Sequence, residues 1–261
     1  MRTILKTLVL TAAISLPGIG ISHAGDHQAR PTVVLVHGAF AGSSGWDGVI
    51  EKLESDGYTA IAAANPLRGV TTDGAAVSSV LRSISGPIIL VGHSYGGPVI
   101  TEAANGNPNV KALVYVAAFA PDTGESSASL SNKFPGSTLA GTLTTTTLPG
   151  GGRDLYIRPD RFHDQFAADV SEKEARLMAA TQRPVAEAAL AEPTGKPSWK
   201  IVPSYAIYGS KDLCIPPAVM DFMAKRSHAV KTEVIDGASH ALIVSHANEV
   251  AAFIEDAALA Q

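Results

Sequence analysis

Ile88-Ile89-Leu90-Val91-Gly92-His93-Ser94-Tyr95-Gly96-Gly97 sets four apolar, mostly β-branched residues directly before a Gly-x-Ser-x-Gly pentad. A run this short and this apolar predicts a fully buried strand. The apolar run from Val99 to Ala104 predicts a helix after it. Strand, sharp turn and helix in succession are the setting in which the serine of such a pentad becomes an exposed nucleophile. The turn is expected to hold Ser94 in a strained backbone conformation, and side chains at Gly92 or Gly96 would collide with the neighbouring strand or helix. Ser94 is thereby expected at the carboxyl edge of a sheet, above a helix start whose free N–H groups favour negative charge. A tight turn with an incidental serine would carry the same letters, but it would need no chemical partners downstream.

On the N-terminal side, Thr32 to Val36 predicts a second buried strand, ending in His37-Gly38-Ala39-Phe40. Trp46, Val49, Ile50 and Leu53 recur at helical spacing, so a helix is expected over about 44–55, with Gly57 as its C-cap. A short strand follows over 58–63. Asp73 is expected to cap a helix through about Ser83, which Gly86-Pro87 breaks. Beyond the pentad, Asn105-Gly106-Asn107-Pro108 is a turn cluster and 110–118 another strand. This regular alternation marks the chain as α/β, with a mostly parallel sheet flanked by helices.

The alternation lapses over 122–198, a segment rich in Ser, Thr, Gly and Pro that reads as helical patches only. Ser171-Glu172-Lys173-Glu174 resembles a capping box before a helix ended by Arg183-Pro184, and 185–191 predicts another helix. The pattern resumes with a strand over 205–208, a helix over 218–225, a strand over 232–235 and a helix over 246–258. We therefore expect a core formed by 25–121 and 199–261, with 122–198 inserted as a cap over the site.

The 261 residues suit one domain with such an insertion. Hydrophobic residues at 46% against 17% charged argue against disorder, and a net charge of −4 leaves no basic excess for a nucleic-acid partner. Arg2 and Lys6, the apolar run Leu8 to Leu16, and Ser22-His23-Ala24 predict a secretory signal cut after Ala24. The expectation is a secreted or periplasmic protein starting at Gly25. The apolar run is too short to span a bilayer, so no stable membrane anchor is expected after cleavage. The single Cys214 cannot form an internal disulfide.

A serine hydroxyl needs a base within hydrogen-bond reach, and that base needs a third group to fix its tautomer. Asp212 follows the strand ending at Tyr208-Gly209, and His240 follows the strand ending at Ile235. With Ser94, both lie at carboxyl ends of predicted parallel strands, where open α/β sheets place their sites. Asp122 and Asp236 are the rival acids, and His246 is the rival base at the start of the last helix. His93 should point away from the site by alternation. No histidine or acid spacing resembles a metal site, and no cofactor is expected.

The order Ser, Asp, His, with these motifs, resembles the α/β-hydrolase superfamily. His37-Gly38-Ala39 is similar to its oxyanion loop, Gly92-His93-Ser94-Tyr95-Gly96 to its elbow, Gly209-Ser210-Lys211-Asp212 to its acid loop, and Gly237-Ala238-Ser239-His240 to its histidine loop. More narrowly, the chain resembles the group that holds plant methyl esterases, hydroxynitrile lyases and many small bacterial esterases. Leu177 to Pro184 is similar to their cap segment, which ends in Arg-Pro. The residue after the nucleophile supplies one oxyanion donor, the Tyr95 N–H, and the resemblance implies the Ala39 N–H as the other. His37 is then expected to brace the loop.

The expected function is an exported carboxylesterase acting on small, largely apolar esters, with a small-molecule ester substrate as its partner. A lyase or cofactor-free perhydrolase on the same three residues is the alternative enzyme class, and a non-catalytic ligand-binding protein the alternative outside catalysis. The hydroxynitrile lyases of the group carry Lys after the histidine and Thr in the oxyanion loop. Ala241 and Gly38 stand in those places here, which points to ester hydrolysis. Phe40 and Trp46 are candidates to line the substrate pocket, as are Tyr156, Phe162, Phe166, Leu177 and Met178 of the cap.

Overall fold

The computed structural model describes residues 30–261. The predicted signal over 1–24 and the cleavage point before Gly25 lie outside the described residues.

The first half of the chain runs β1 (Thr32–Val36), α1 (Asp47–Ser55), β2 (Ala60–Ala63), α2 (Val70–Arg82), β3 (Ile88–His93), α3 (Gly96–Ala103) and β4 (Val110–Val116). The next segment holds α4 (Ser127–Ser131), β5 (Leu143–Thr147), β6 (Arg153–Ile157), α5 (Pro159–Phe166), α6 (Glu172–Thr181), β7 (Val185–Ala186) and α7 (Glu187–Ala191). The chain closes with β8 (Ser204–Gly209), α8 (Pro217–Arg226), β9 (Lys231–Ile235), α9 (Leu242–Ser245) and α10 (Ala247–Leu259).

Six strands form one parallel sheet in the order β2-β1-β3-β4-β8-β9. The middle of it is carbon throughout: Val33 to Val36, Ile88 to Val91 and Leu113, Val114 and Val116 are fully buried. A parallel sheet needs cover on both faces, and here α1 packs against α10 and α2 against α3. Chain order reverses between β1 and β3. The loop after β1 and the turn after β3 therefore flank a topological switch point, where open α/β sheets bind their ligands.

Three local expectations are corrected. The elbow helix begins at Gly96 instead of Val99, because Pro98 in a first turn gives up no intrahelical bond. The helix expected over 44–55 opens as a 3₁₀ turn, Ser43–Trp46, before α1. Asp73 is not an N-cap, since α2 starts at Val70. The Glu192 carboxylate instead accepts the Val70 and Thr71 N–H groups, at 2.8 and 3.1 Å.

The segment between β4 and β8 is not helical patches only. It carries an antiparallel sheet, β5-β6-β7, in which Leu143 pairs with Ile157 and Leu155 with Val185. Thr144 to Thr147 are β-branched and suit an exposed strand, although they lack the apolar alternation that announces one. The segment is fastened to the core by named bonds. Arg68 pairs with Asp154 at 2.6 Å and donates to the Pro184 carbonyl at 3.0 Å, and the Phe40 N–H donates to the Arg183 carbonyl at 3.0 Å.

Candidate active site

β3 passes into α3 through Ser94, whose φ is 55°. That left-handed conformation is costly for a residue with a Cβ and persists only where its surroundings fix it. Here the Ser94 carbonyl accepts the Gly97 and Phe119 N–H groups, at 3.0 and 3.3 Å, while its own N–H donates to Val116. The turn also requires bare backbone nearby. A Cβ at Gly92 would lie 2.6 Å from the Gly96 carbonyl oxygen, and one at Gly38 would lie 2.6 Å from Ser94 Cβ. Gly38 thus lets the loop after β1 settle directly on the serine.

The structure brings Ser94, His240 and Asp212 together. His240 Nδ1–H donates to Asp212 Oδ2 at 2.6 Å, which leaves Nε2 to accept the Ser94 Oγ–H at 2.9 Å. Asp212 is 2% exposed and His240 1%. Asp212 Oδ1 accepts the N–H groups of Cys214 and Ile215, at 2.7 and 2.9 Å, so every side of the buried carboxylate is hydrogen-bonded. The rival acids lie elsewhere: Asp122 pairs with Lys200 at 2.6 Å and Asp236 accepts from Ser210 at 2.8 Å. His246 sits beside Glu249, at 3.2 Å. Asp212, Cys214 and His240 also bring ligand-type atoms within 4.8 Å of one another. The hydrogen bonds just described already satisfy the carboxylate and the ring, and burial pushes the Cys214 thiol well up, keeping it protonated.

Two other histidines support the arrangement in neutral form. His93 Nε2–H donates to the His240 carbonyl at 3.0 Å, and its ring lies 4.7 Å from that of His240. Burial holds the His93 pKa well below the ordinary histidine value. His37 accepts the Asn65 N–H at 3.2 Å through Nε2 and donates from Nδ1 to the Gly38 carbonyl at 3.0 Å. It braces the loop after β1. Burial, opposed by the Gly38 bond and aided by the Arg183 charge, lowers its pKa to about 4. The histidine loop is pinned as well, because Asp169 accepts the Ser239 N–H at 3.1 Å and the Ser245 hydroxyl at 2.7 Å.

Ser94 and His240 open into a cavity of about 70 Å³. Ala39 and Tyr95 line it too, and among the described residues neither of their N–H groups donates a hydrogen bond. Two such amides beside a nucleophile and a base can receive the negative oxygen of a tetrahedral intermediate. The Tyr95 hydroxyl anchors the turn from the other side, donating to Asp73 at 2.9 Å. Asp73 in turn accepts the Arg68 and Gly69 N–H groups, a bracing role that its sequence position did not reveal.

Of the aromatic residues expected in the pocket, Phe40 lines it. Trp46 does not. It is fully buried, edge-on to His93 at 6.3 Å. Phe166 packs edge-on against the His240 ring at 4.9 Å and Phe162 lies behind it at 5.0 Å, so both support the histidine instead of lining the cavity. Tyr156 on β6 and Met178 on α6 are half-buried in the inserted segment and do not line the cavity either. The walls come from Phe119 and Ile215 of the core and from Leu139 and Leu190 of the insertion. Each of these four lies in a loop or short helix without apolar periodicity, so no sequence signal singled them out.

A model of the Alpha/beta hydrolase family matches residues 33–253. The alpha/beta hydrolase nvfD of Aspergillus novofumigatus is 25% identical over 256 residues, covering 88% of this chain and 97% of that protein. Methylesterase 8 of Arabidopsis thaliana is 30% identical over 146 residues, which is 51% of this chain and 52% of that protein. Among solved structures, polyneuridine aldehyde esterase superposes with a TM-score of 0.76 at 22% identity, over 87% of this chain and 98% of its own. That last likeness speaks to the fold.

Proposed function

The chain belongs to the alpha/beta hydrolase family, and from that premise we propose that it is a serine carboxylesterase working through an acyl-enzyme. The observation that carries this reading is the unbroken run of hydrogen bonds from Asp212 through His240 to Ser94, beside the uncommitted Ala39 and Tyr95 amides. Ser94 Oγ attacks the ester carbonyl carbon while His240 Nε2 takes its proton. The carbonyl oxygen becomes an oxyanion held by the two amides. His240 then returns the proton to the departing alcohol as the C–O bond breaks. A water molecule, deprotonated by His240, attacks the acyl-enzyme, and the carboxylic acid leaves as Ser94 regains its proton. Asp212 keeps the ring in the required tautomer and stabilises the imidazolium.

Small, largely apolar esters fit the cavity best. Phe40, Phe119, Leu139, Leu190 and Ile215 give it carbon walls, and its volume of about 70 Å³ suits a short acyl or alcohol group. Ala241 is fully buried and offers no charge to a departing cyanide, which favours ester hydrolysis over cyanohydrin cleavage. We also propose that the protein acts after export, on the strength of the signal pattern over 1–24. Among the described residues no helix is long and apolar enough to cross a membrane. The test is a substrate panel: p-nitrophenyl acetate and butyrate are turned over, and mandelonitrile releases no cyanide above background. Cyanide release without ester turnover would contradict the proposal.

A further inference from the structure

We infer that Ser127 is a substrate-recognition hydroxyl, and that the preferred esters carry a hydrogen-bond acceptor oxygen, such as a keto or alkoxy oxygen, on the part that lies against α4. This rests on the esterase reading and names the substrate class of that same cavity. Ser127 lines the cavity together with Ser94 and His240, and it is 2% exposed. Its Oγ has no hydrogen-bond partner among the described residues. Other buried hydroxyls find partners within the fold, as Thr101 does in Gly97 and Tyr115 and Ser198 does in the Thr101 carbonyl. A few other buried polar atoms lack a partner, Trp46 Nε1 and Thr194 Oγ1 among them. Of those identified among the described residues, only the one on Ser127 belongs to a residue of the cavity wall.

The local sequence explains why this hydroxyl is left over. Ser126 and Ser129 satisfy each other in a reciprocal cap, with Ser129 N–H donating to Ser126 Oγ at 3.1 Å and Ser126 N–H to Ser129 Oγ at 2.9 Å. Helical serines and threonines commonly hand their proton to a carbonyl one turn back, as Ser79 does to Ala75 and Thr181 to Leu177. Ser127 is the first residue of α4 and has no preceding turn. Four residues on, Ser131 also lines the cavity, so two serines on one face of α4 stand in a wall that otherwise includes Phe119, Leu139, Leu190 and Ile215. A buried hydroxyl without a partner is a standing cost, which a ligand oxygen removes and a hydrocarbon does not.

Matched pairs of esters test the assignment. Methoxyacetyl and butyryl are isosteric in the acyl part, and 2-methoxyethyl and butyl in the alcohol part. The oxygenated-to-hydrocarbon ratio of kcat/KM is measured for p-nitrophenyl methoxyacetate against p-nitrophenyl butyrate, and for 2-methoxyethyl acetate against butyl acetate. Comparing wild type with Ser127→Ala cancels the intrinsic reactivity of each ester. In at least one pair the ratio falls about tenfold in the variant, while Tm stays level or rises because an unpartnered hydroxyl has been removed. Equal ratios in both pairs would overturn the assignment and leave the esterase reading standing. A clear drop in Tm would also overturn it, by showing that the hydroxyl is bonded within the protein. Failure of the wild type to hydrolyse any of the esters would overturn both.

Discussion

Replacing Asp212 by Asn separates the geometry of the site from its chemistry. Asp212 Oδ1 receives the N–H groups of Cys214 and Ile215, whereas Oδ2 receives the His240 Nδ1–H. An amide at this place has one acceptor and one donor end. Its oxygen must face the two backbone N–H groups, because turning the NH₂ toward them would set donors against donors. The NH₂ therefore faces His240 Nδ1, which must give up its proton and accept. The ring switches to the Nε2–H tautomer, and Nε2 can no longer take a proton from Ser94. The loss expected from a wrong tautomer is about 10⁴-fold in kcat, or about 5 kcal/mol of transition-state stabilisation. Stability should barely change, since both backbone N–H groups keep their acceptor. Asp212→Ala should instead cost stability as well, because each orphaned N–H carries a penalty of about 1–3 kcal/mol. Steady-state hydrolysis of p-nitrophenyl butyrate and thermal unfolding of the two variants are the assays. Asp122→Asn, which touches only Lys200 and its own turn, serves as the control and should stay near wild type. An Asp212→Asn enzyme within tenfold of wild type, or an inactive Asp122→Asn, would refute the reasoning.

Further outcomes follow from the same contacts. His37 is buried with its pKa lowered to about 4, so between that value and the ordinary 6.5 the unfolded chain binds the extra proton. Its contribution is intact above pH 6.5 and is lost as pH falls through the window, by about 3 kcal/mol at the lower end, with His93 acting in the same direction. Urea midpoints should drop steadily from pH 6.5 to 4, and a level midpoint would count against the neutral, buried histidines. Gly38→Ala places a Cβ against Ser94 Cβ and 2.7 Å from the His93 carbonyl oxygen, so the loop must lift away from the serine. We expect kcat to fall roughly 10–100-fold, measured beside circular dichroism to verify the fold, and full activity would contradict the close approach. N-terminal sequencing of protein recovered from periplasm or medium should read from Gly25, and a chain still starting at Met1 there would refute cleavage.

The parallel sheet was legible because β1, β3 and β4 each carry a run of consecutive apolar residues, Val33 to Val36, Ile88 to Val91 and Ala112 to Val116, with a helical period between them. The serine turn was legible for a different reason: close backbone approach leaves glycine as the only fit at Gly92 and Gly96. The inserted sheet was not, since Thr144 to Thr147 face solvent and have no burial pattern to betray a strand. Side-chain size misled the pocket reading. Trp46, Phe162 and Phe166 are the bulky residues nearby, and their area is spent packing behind His93 and His240. The cavity is walled by residues whose positions depend on how the insertion docks. That docking rests on long-range bonds such as Arg68 to Asp154 and Glu192 to the start of α2, and a linear pattern of hydrophobicity carries no trace of either.

The central claim is that Ser94 is a nucleophile activated by His240, and covalent trapping tests it most directly. The wild-type protein, treated with a fluorophosphonate probe and digested, should carry the label on the peptide containing Ser94. Ser94→Ala should take up no label and lose ester turnover on the order of 10³-fold or more. A label on another residue, or a Ser94→Ala enzyme keeping roughly a tenth of wild-type turnover, would contradict the account.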